Sequence, residues 1–199
     1  MGRPSSAVTL VGVSKKQPAQ TVAAAIGAGL GDVAENYLQE ARAKFPSLPP
    51  VRKHFVGHVQ TNKANAIAAL FDVVQSVDRA GAAAALGKAA RAAGKRLPVL
   101  LQLNVSPSER LGCPPASAPE LAEVIRAQES LQLEGVMAIG PLVEDRAAIA
   151  RAFELAAMTL DRIGGTTLSI GMSGDWREAL RAGSTMLRIG EALFGERVQ

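Results

Sequence analysis

Strand-like and helix-like segments alternate along the whole of this 199-residue chain, and this alternation constrains its fold more than any other feature. The strand-like segments cover 7–13, 31–34, 54–57, 72–77, 97–105, 133–140, 166–172 and 185–190. The helix-like segments cover 18–29, 36–45, 62–70, 80–94, 117–130, 145–163 and 175–182, with a short one after 190. Several of the strands are apolar at nearly every position, as is typical of parallel strands that helices cover on both faces.

Eight strand–helix units without a hairpin signal favour a closed (β/α)8 barrel, the TIM barrel, over an open doubly wound sheet. The open sheet stays an alternative, because hydrophobic periodicity does not show whether a sheet closes on itself. The proline clusters at 46–50 and 107–119 are too short to be domain linkers. The length suits one well-cored domain, so we expect residues 1–199 to form a single domain.

Two adjacent lysines, Lys15 and Lys16, follow the first predicted strand. Enzymes with (β/α)8 barrels build their active sites at the carboxyl ends of the strands. Partial burial there lowers the pKa of an amine, and the neutral amine can attack an aldehyde to form a Schiff base. Most lysines that follow strands are solvated, so Lys15 alone is weak support for such a site.

Glycine-rich turns follow the last two predicted strands. The first turn contains Ser173 and Gly174, and Gly190 stands at the second. The loops after strands seven and eight of a (β/α)8 barrel commonly bind phosphate, through backbone N–H groups and helix N-termini. A single turn of this kind is usually structural, but two on adjacent strands predict an anion site.

Arg188 lies inside the last predicted strand, where a guanidinium would be buried and would need acceptors. Two explanations are equally good: Arg188 forms a structural ion pair with a core carboxylate, or it contacts a ligand. Asn36 stands at the start of the second helix, where capping is its first explanation and a ligand contact its second. His54 lies within a strand and is expected to be packed or hydrogen-bonded, whereas His58 lies in a loop and is a better candidate for a pocket.

Composition excludes several classes of function. The net charge of +4 comes from scattered basic residues, which argues against nucleic-acid binding. Two histidines and the single cysteine, Cys113, give no metal-ligand cluster, and one cysteine forms no internal disulfide. Neither a secretion signal nor an apolar stretch long enough to cross a membrane is visible, so we expect a cytoplasmic protein without membrane contact.

Together the segments resemble the YggS/PROSC family, the pyridoxal phosphate homeostasis proteins. The matching stretches occur in order and cover nearly the whole chain: VGVSKKQP (11–18), AENYLQEA (34–41), HFVGHVQTNK (54–63), VQSVDR (74–79), LEGVMAIGP (133–141), LSIGMSGD (168–175) and AGSTMLRIGEALFGER (182–197). Family members usually carry a helix before the first strand, whereas six residues precede it here.

The resemblance implies a barrel of the alanine racemase N-terminal type that holds pyridoxal 5′-phosphate (PLP) as a lysine Schiff base. By similarity, Lys15 is the Schiff-base lysine and Arg188 faces the pyridine nitrogen. Ser173 and the backbone at Gly190 and Glu191 would hold the phosphate. Asn36 completes the predicted cofactor-binding set, and no catalytic residue or metal ligand is expected.

The resemblance implies a monomeric, non-catalytic protein that buffers PLP or delivers it to apo forms of PLP-dependent enzymes. The first alternative is a PLP-dependent amino-acid racemase, which needs acid/base groups on both faces of the substrate carbon. Barrel racemases take the second base, a tyrosine, from an additional β domain, and the only tyrosine here is Tyr37. The second alternative is a sugar-phosphate isomerase or aldolase, for which Glu35 and Glu109 are the modest acid/base candidates.

Overall fold

The computed structural model describes residues 4–106, 108 and 110–195. Eight parallel strands form a closed barrel in chain order, and β1 pairs with β8 to complete it. The strands are β1 (Thr9–Val13), β2 (Asp32–Glu35), β3 (Arg52–Phe55), β4 (Val73–Val77), β5 (Leu97–Leu103), β6 (Leu131–Ala138), β7 (Thr167–Ser169) and β8 (Met186–Ile189). The predicted (β/α)8 barrel is thus confirmed, and the alternative of an open sheet is wrong.

A helix follows every strand and covers the outside of the barrel. The helices are α1 (Ala19–Gly27), α2 (Leu38–Lys44), α3 (Ala64–Leu70), α4 (Ala80–Ala92), α5 (Ala118–Arg126), α6 (Arg146–Ile163), α7 (Trp176–Arg181) and α8 (Glu191–Phe194). Within the described part of the chain, no helix is both long and apolar enough to span a membrane.

The main core lies between the strands and the helices. Its buried side chains are largely Val, Leu, Ile and Ala, and the alanine-rich α4 buries Ala82, Ala83 and Ala90 completely. Small side chains let a helix approach the sheet closely, so dispersion contacts and burial of apolar surface stabilise the layer. Met137 is also fully buried, as expected for a core residue.

The loop after β7 starts earlier than the sequence pattern predicts. The predicted strand extended to residue 172, but β7 ends at Ser169. Gly171 adopts a positive φ of 97°, a conformation that interrupts a strand and that glycine tolerates best. A Cβ at this position would lie 2.6 Å from side-chain atoms of Ala179 and Leu187. Gly171 therefore turns the chain early and leads residues 172–175 across the mouth of the barrel.

Candidate functional site

A cavity of about 200 Å³ opens at the carboxyl ends of β1, β7 and β8. Five of the predicted site residues line it: Lys15, Ser173, Arg188, Gly190 and Glu191. They come from opposite ends of the chain, and closure of the barrel between β1 and β8 brings them together. We call this space the Lys15 cavity.

The backbone separates the two adjacent lysines. Lys15 is half-buried and lines the cavity, whereas Lys16 is exposed and does not line it. Lys16 has a φ of 59° and is the one residue other than glycine with a positive φ in the described part of the chain. This left-handed turn directs the chain away from the barrel immediately after Lys15.

A buried charged cluster holds the backbone on the N-terminal side of Lys15. The Lys44 ammonium donates to the Ser14 carbonyl oxygen at 2.6 Å and forms an ion pair with Glu35. The Ser14 hydroxyl donates to the same Glu35 carboxylate at 2.7 Å. Burial raises the pKa of Glu35, and the hydrogen bonds from Lys44 and Ser14 oppose that shift. The cluster therefore anchors Ser14, the residue that precedes Lys15.

An acidic side chain of α2 holds the other side of Lys15. The Lys16 backbone N–H donates to the Glu40 carboxylate at 2.8 Å. Glu40 also lies 4.0 Å from the Lys44 ammonium, which links it to the buried cluster. The peptide groups on both sides of Lys15 are thus fixed by side chains of α2, a contribution that the sequence alone did not reveal.

The loop after β7 supplies the opposite wall. The Ser173 hydroxyl accepts a hydrogen bond from the Ala192 N–H at 3.2 Å, which joins this loop to the start of α8. The Asp175 carboxylate accepts from the Met172 N–H at 2.5 Å and closes the turn around Ser173. Among the described residues, the N–H groups of Ser173 and Gly174 have no protein acceptor. Unpaired donors and a hydroxyl on one turn suit an anionic group.

Gly190 is not required by packing within the protein. Its φ of −111° suits any residue, and a Cβ there would meet only Val13, with nearest atoms at 3.4 and 3.8 Å. Because Gly190 lines the cavity, a side chain at this position would occupy ligand space rather than clash with the protein. The donors, the room at Gly190 and the Lys15 amine together fit a phosphate-bearing aldehyde such as PLP.

Arg188 is buried, with 4% of its surface exposed, and still reaches the cavity wall. Its guanidinium donates to the Ser169 carbonyl and hydroxyl oxygens, both at 2.7 Å, and to the Ala138 carbonyl at 2.9 Å. Burial lowers its pKa to about 10, and the charge of Asp175 opposes that shift, so the side chain stays charged at neutral pH. The sequence left two explanations of Arg188 open, a pair with a core carboxylate and a contact with a ligand. Within the described residues, Arg188 is hydrogen-bonded to three neutral oxygens and to no carboxylate.

Asn36 lies elsewhere in the barrel mouth. It lines a second cavity with Val56, His58 and Arg110, not the Lys15 cavity. The capping explanation is wrong, because the residue at the N-cap of α2 is Tyr37 and no side chain caps this helix. The buried Oδ1 of Asn36 has no hydrogen-bond partner in the described part of the chain. A contact between Asn36 and a ligand stays a prediction.

The structure also shows the surroundings of two other candidate residues, His54 and Cys113. His54 is buried and hydrogen-bonded, as predicted, to Asp32 at 2.8 Å and to Gln75 at 2.9 Å. Cys113 is buried, and desolvation raises its thiol pKa to about 11, which agrees with an unreactive loop thiol. Glu109 falls outside the described residues. The residues that the structure describes contain no cluster of His, Cys, Asp and Glu that could hold a metal ion.

The sequence matches the family model of the alanine racemase N-terminal domain over residues 5–198. The pyridoxal phosphate homeostasis protein of Pseudomonas aeruginosa is 44% identical, over 98% of this chain and 87% of that protein. The protein of the same name from Escherichia coli K12 is 37% identical, over 98% of this chain and 88% of that protein. The chain belongs to the pyridoxal phosphate homeostasis protein family.

Solved structures agree with this membership. PipY of Synechococcus elongatus, solved with PLP bound, superposes with a TM-score of 0.86 at 33% identity and covers 98% of this chain and 95% of that one. Alanine racemase of Clostridium difficile superposes with a TM-score of 0.78 at 16% identity, which shows the shared fold alone. That match covers 96% of this chain but 53% of the racemase.

Proposed function

We propose that this protein binds PLP in the Lys15 cavity and takes part in intracellular PLP homeostasis, buffering the cofactor or delivering it to other proteins. The observation that carries the proposal is the meeting of Lys15, Ser173 and Arg188 in the wall of one cavity. Membership in a family whose relatives are named pyridoxal phosphate homeostasis proteins supports it, as does the PLP bound to PipY.

Each of the five predicted site residues that line the cavity has a role in this proposal. PLP, when bound, supplies an aldehyde that reacts with amines. Lys15 provides the amine for covalent attachment, and α2 holds the backbone on both of its sides. The Ser173 hydroxyl and the backbone at Gly190 and Glu191 bind the phosphate. Arg188 would donate to the pyridine nitrogen from an N–H group that Ser169 and Ala138 do not use.

The acid/base candidates argue against an enzyme in this cavity. Tyr37 is 55% exposed and does not line the cavity, so it is not placed to serve as a second base for racemisation. Glu35 is fully buried and bonded to Lys44 and Ser14, which removes it as an acid or base for a sugar-phosphate substrate. A reversible, non-catalytic PLP carrier agrees best with the groups that are present. As a carrier it would act as a monomer in the cytoplasm, with apo forms of PLP-dependent enzymes as recipients.

Covalent attachment is the sharpest test of the binding site. Purified protein titrated with PLP should develop a visible absorption band, and borohydride should fix the cofactor to Lys15 in peptide maps. Lys15→Ala should lose the band and the covalent adduct while its circular dichroism stays unchanged. Lys16→Ala is the matched control and should keep both. A parent protein that does not bind PLP would contradict the proposed function, and an adduct on Lys16 would contradict the choice of lysine.

Catalytic exchange of the α-proton of an amino acid distinguishes an enzyme from a carrier. We expect the PLP-bound protein to show no catalytic exchange when it is incubated with each proteinogenic amino acid in deuterated water. The same preparation should restore activity to an apo form of a PLP-dependent enzyme. Rapid exchange that disappears in Lys15→Ala would show that the protein is an enzyme.

A further inference from the structure

A chain of hydrogen bonds crosses the inside of the barrel and ends on Arg188. It joins Asp32 on β2, His54 on β3, Gln75 on β4, Ser169 on β7 and Arg188 on β8. The four contacts between side chains measure 2.8, 2.9, 2.7 and 2.7 Å in that order. We call this set the Arg188 chain.

The three inner members of the chain are sealed from solvent. His54, Gln75 and Ser169 are each 0% exposed, whereas the Asp32 side chain is 18% exposed. Asp32 is the first residue of β2 and lies at the end of the strand away from the mouth, where it lines a surface groove. The chain therefore connects a solvent-accessible carboxylate with the guanidinium in the wall of the Lys15 cavity.

The arginine sets the direction of every bond in the chain. A guanidinium only donates, so the Ser169 hydroxyl accepts from Arg188 and gives its own proton to the Gln75 carbonyl oxygen. The amide N–H of Gln75 then faces Nδ1 of His54, which must accept. The proton of the neutral imidazole consequently sits on Nε2 and is donated to Asp32.

The same bonds leave part of the guanidinium for a ligand. An arginine has five N–H donors, and oxygens of the described residues take three of them, two from one terminal nitrogen and one from the other. The two that remain belong to Nε and to the second terminal nitrogen. Rotation of Arg188 would exchange these donors with the bonded ones, and the Ser169 hydroxyl is the only one of the three acceptors that is itself a side chain.

We propose that Asp32, His54, Gln75 and Ser169 are positioning residues, which fix the rotation of Arg188 and keep two of its N–H groups directed into the Lys15 cavity. The proposal rests on the function argued above, because the ligand that these groups meet is PLP. Every hydrogen bond of the Arg188 chain is donated in the same direction, from Arg188 toward Asp32. Loss of His54 or Asp32 therefore changes the hydrogen bonding of Arg188. These residues do not line the Lys15 cavity and act on the ligand only through the arginine.

Substitutions at His54 separate positioning from simple stability. Gln can accept from Gln75 and donate to Asp32, so His54→Gln preserves the direction of the chain, whereas His54→Phe keeps a planar ring and removes both bonds. We expect His54→Phe to weaken PLP binding about tenfold, the usual scale for one charge-assisted hydrogen bond. His54→Gln should bind within about threefold of the parent, since both bonds remain.

Ser76→Ala is the matched control, because Ser76 neighbours Gln75 on β4, is 1% exposed and donates at 2.6 Å to the Gly57 carbonyl outside the chain. It should lose stability in urea but keep its affinity for PLP. Asp32→Ala removes the solvent-accessible end of the Arg188 chain. It is the alternative test if His54→Phe does not fold. Equal affinities in His54→Phe, His54→Gln and the parent, or an unchanged affinity in Asp32→Ala, would overturn the positioning role.

The tautomer of His54 tests the chain without any ligand. Long-range proton–nitrogen NMR of the PLP-free protein should show a proton on Nε2 and none on Nδ1. A proton on Nδ1 would overturn the assigned direction. This measurement stands even if the parent does not bind PLP, a result that would instead refute the proposed function.

Discussion

The Lys15 cavity is held differently at its two ends. At the lysine end, formed by Ser14–Lys16 with Glu35, Glu40 and Lys44, two charged side chains of α2 bind the backbone, and Glu35 of β2 pairs with one of them. At the loop end, formed by residues 170–175 and Gly190, backbone groups and a few short side chains make the contacts.

The difference predicts how each end responds to substitution. Support at the lysine end depends on a few buried charges, so removal of one charge leaves its partner buried and unpaired. Support at the loop end also includes backbone hydrogen bonds, from the Asp175 N–H to the Met172 carbonyl and from the Arg188 N–H to the Gly171 carbonyl, which a change of side chain leaves in place. We therefore expect changes at the lysine end to affect folding first, and changes at the loop end to affect ligand binding first.

Lys44→Met should produce the largest change in stability. It leaves the Glu35 carboxylate without its cation at a site that is 0% exposed, and Oε2 of Glu35 already lacks a partner in the described part of the chain. Breaking a buried ion pair by removal of one member costs about 3–5 kcal/mol. Urea unfolding measures this loss, and Lys88→Met, a change of an exposed lysine on α4, is the control.

The double variant Glu35→Leu/Lys44→Met sharpens this prediction. Replacing both charges removes the unpaired carboxylate, so the double variant should be more stable than Lys44→Met alone. If Lys44→Met were as stable as the parent, the lysine end would not depend on its ion pair and the contrast between the two ends would fail.

Ser173→Ala should have a smaller effect, on binding and not on folding. The substitution removes the hydroxyl from the cavity wall and its contact with the Ala192 N–H. Loss of one hydrogen bond to a charged group should weaken PLP affinity by about 1–2 kcal/mol, while the backbone donors remain. Titration with PLP measures the loss, with Ser117→Ala, an exposed serine before α5, as the control. Parent-like affinity would place the phosphate elsewhere.

The sequence predicted the barrel and the gathering of the cavity residues at its mouth, because both follow from local patterns. Alternating apolar segments give the βα units, and strand-end geometry places Lys15, Ser173 and Gly190 at one mouth. The supports of these residues were not predicted. Lys44 has the pattern of an ordinary helix-end lysine, and its burial depends on reaching back to Ser14, 30 residues earlier. The bond between Gln75 and Ser169 joins positions 94 residues apart, which no local pattern encodes.

The smallest effect concerns the charge of Asp175 at the loop end. Asp175 is 8% exposed, and its carboxylate accepts from the Met172 N–H. Burial raises its pKa above the ordinary value of 3.8, although the Met172 hydrogen bond and the charge of Arg188 oppose the shift. A carboxyl whose pKa is raised on folding stabilises the fold fully below its unfolded pKa, and this contribution is lost as the pH rises through the folded pKa.

Asp175→Asn removes this titration and keeps an oxygen that can accept from Met172. The stability of the parent relative to Asp175→Asn should therefore fall as the pH rises from about 4 toward neutrality, by the linkage between proton uptake and folding. Urea unfolding of both proteins at several pH values in that range measures the difference. A difference that grows with pH would mean that the ionised Asp175 stabilises the fold, as a paired charge does at the lysine end. The charge at the loop end would then support the cavity in the same way, and the contrast between its two ends would disappear.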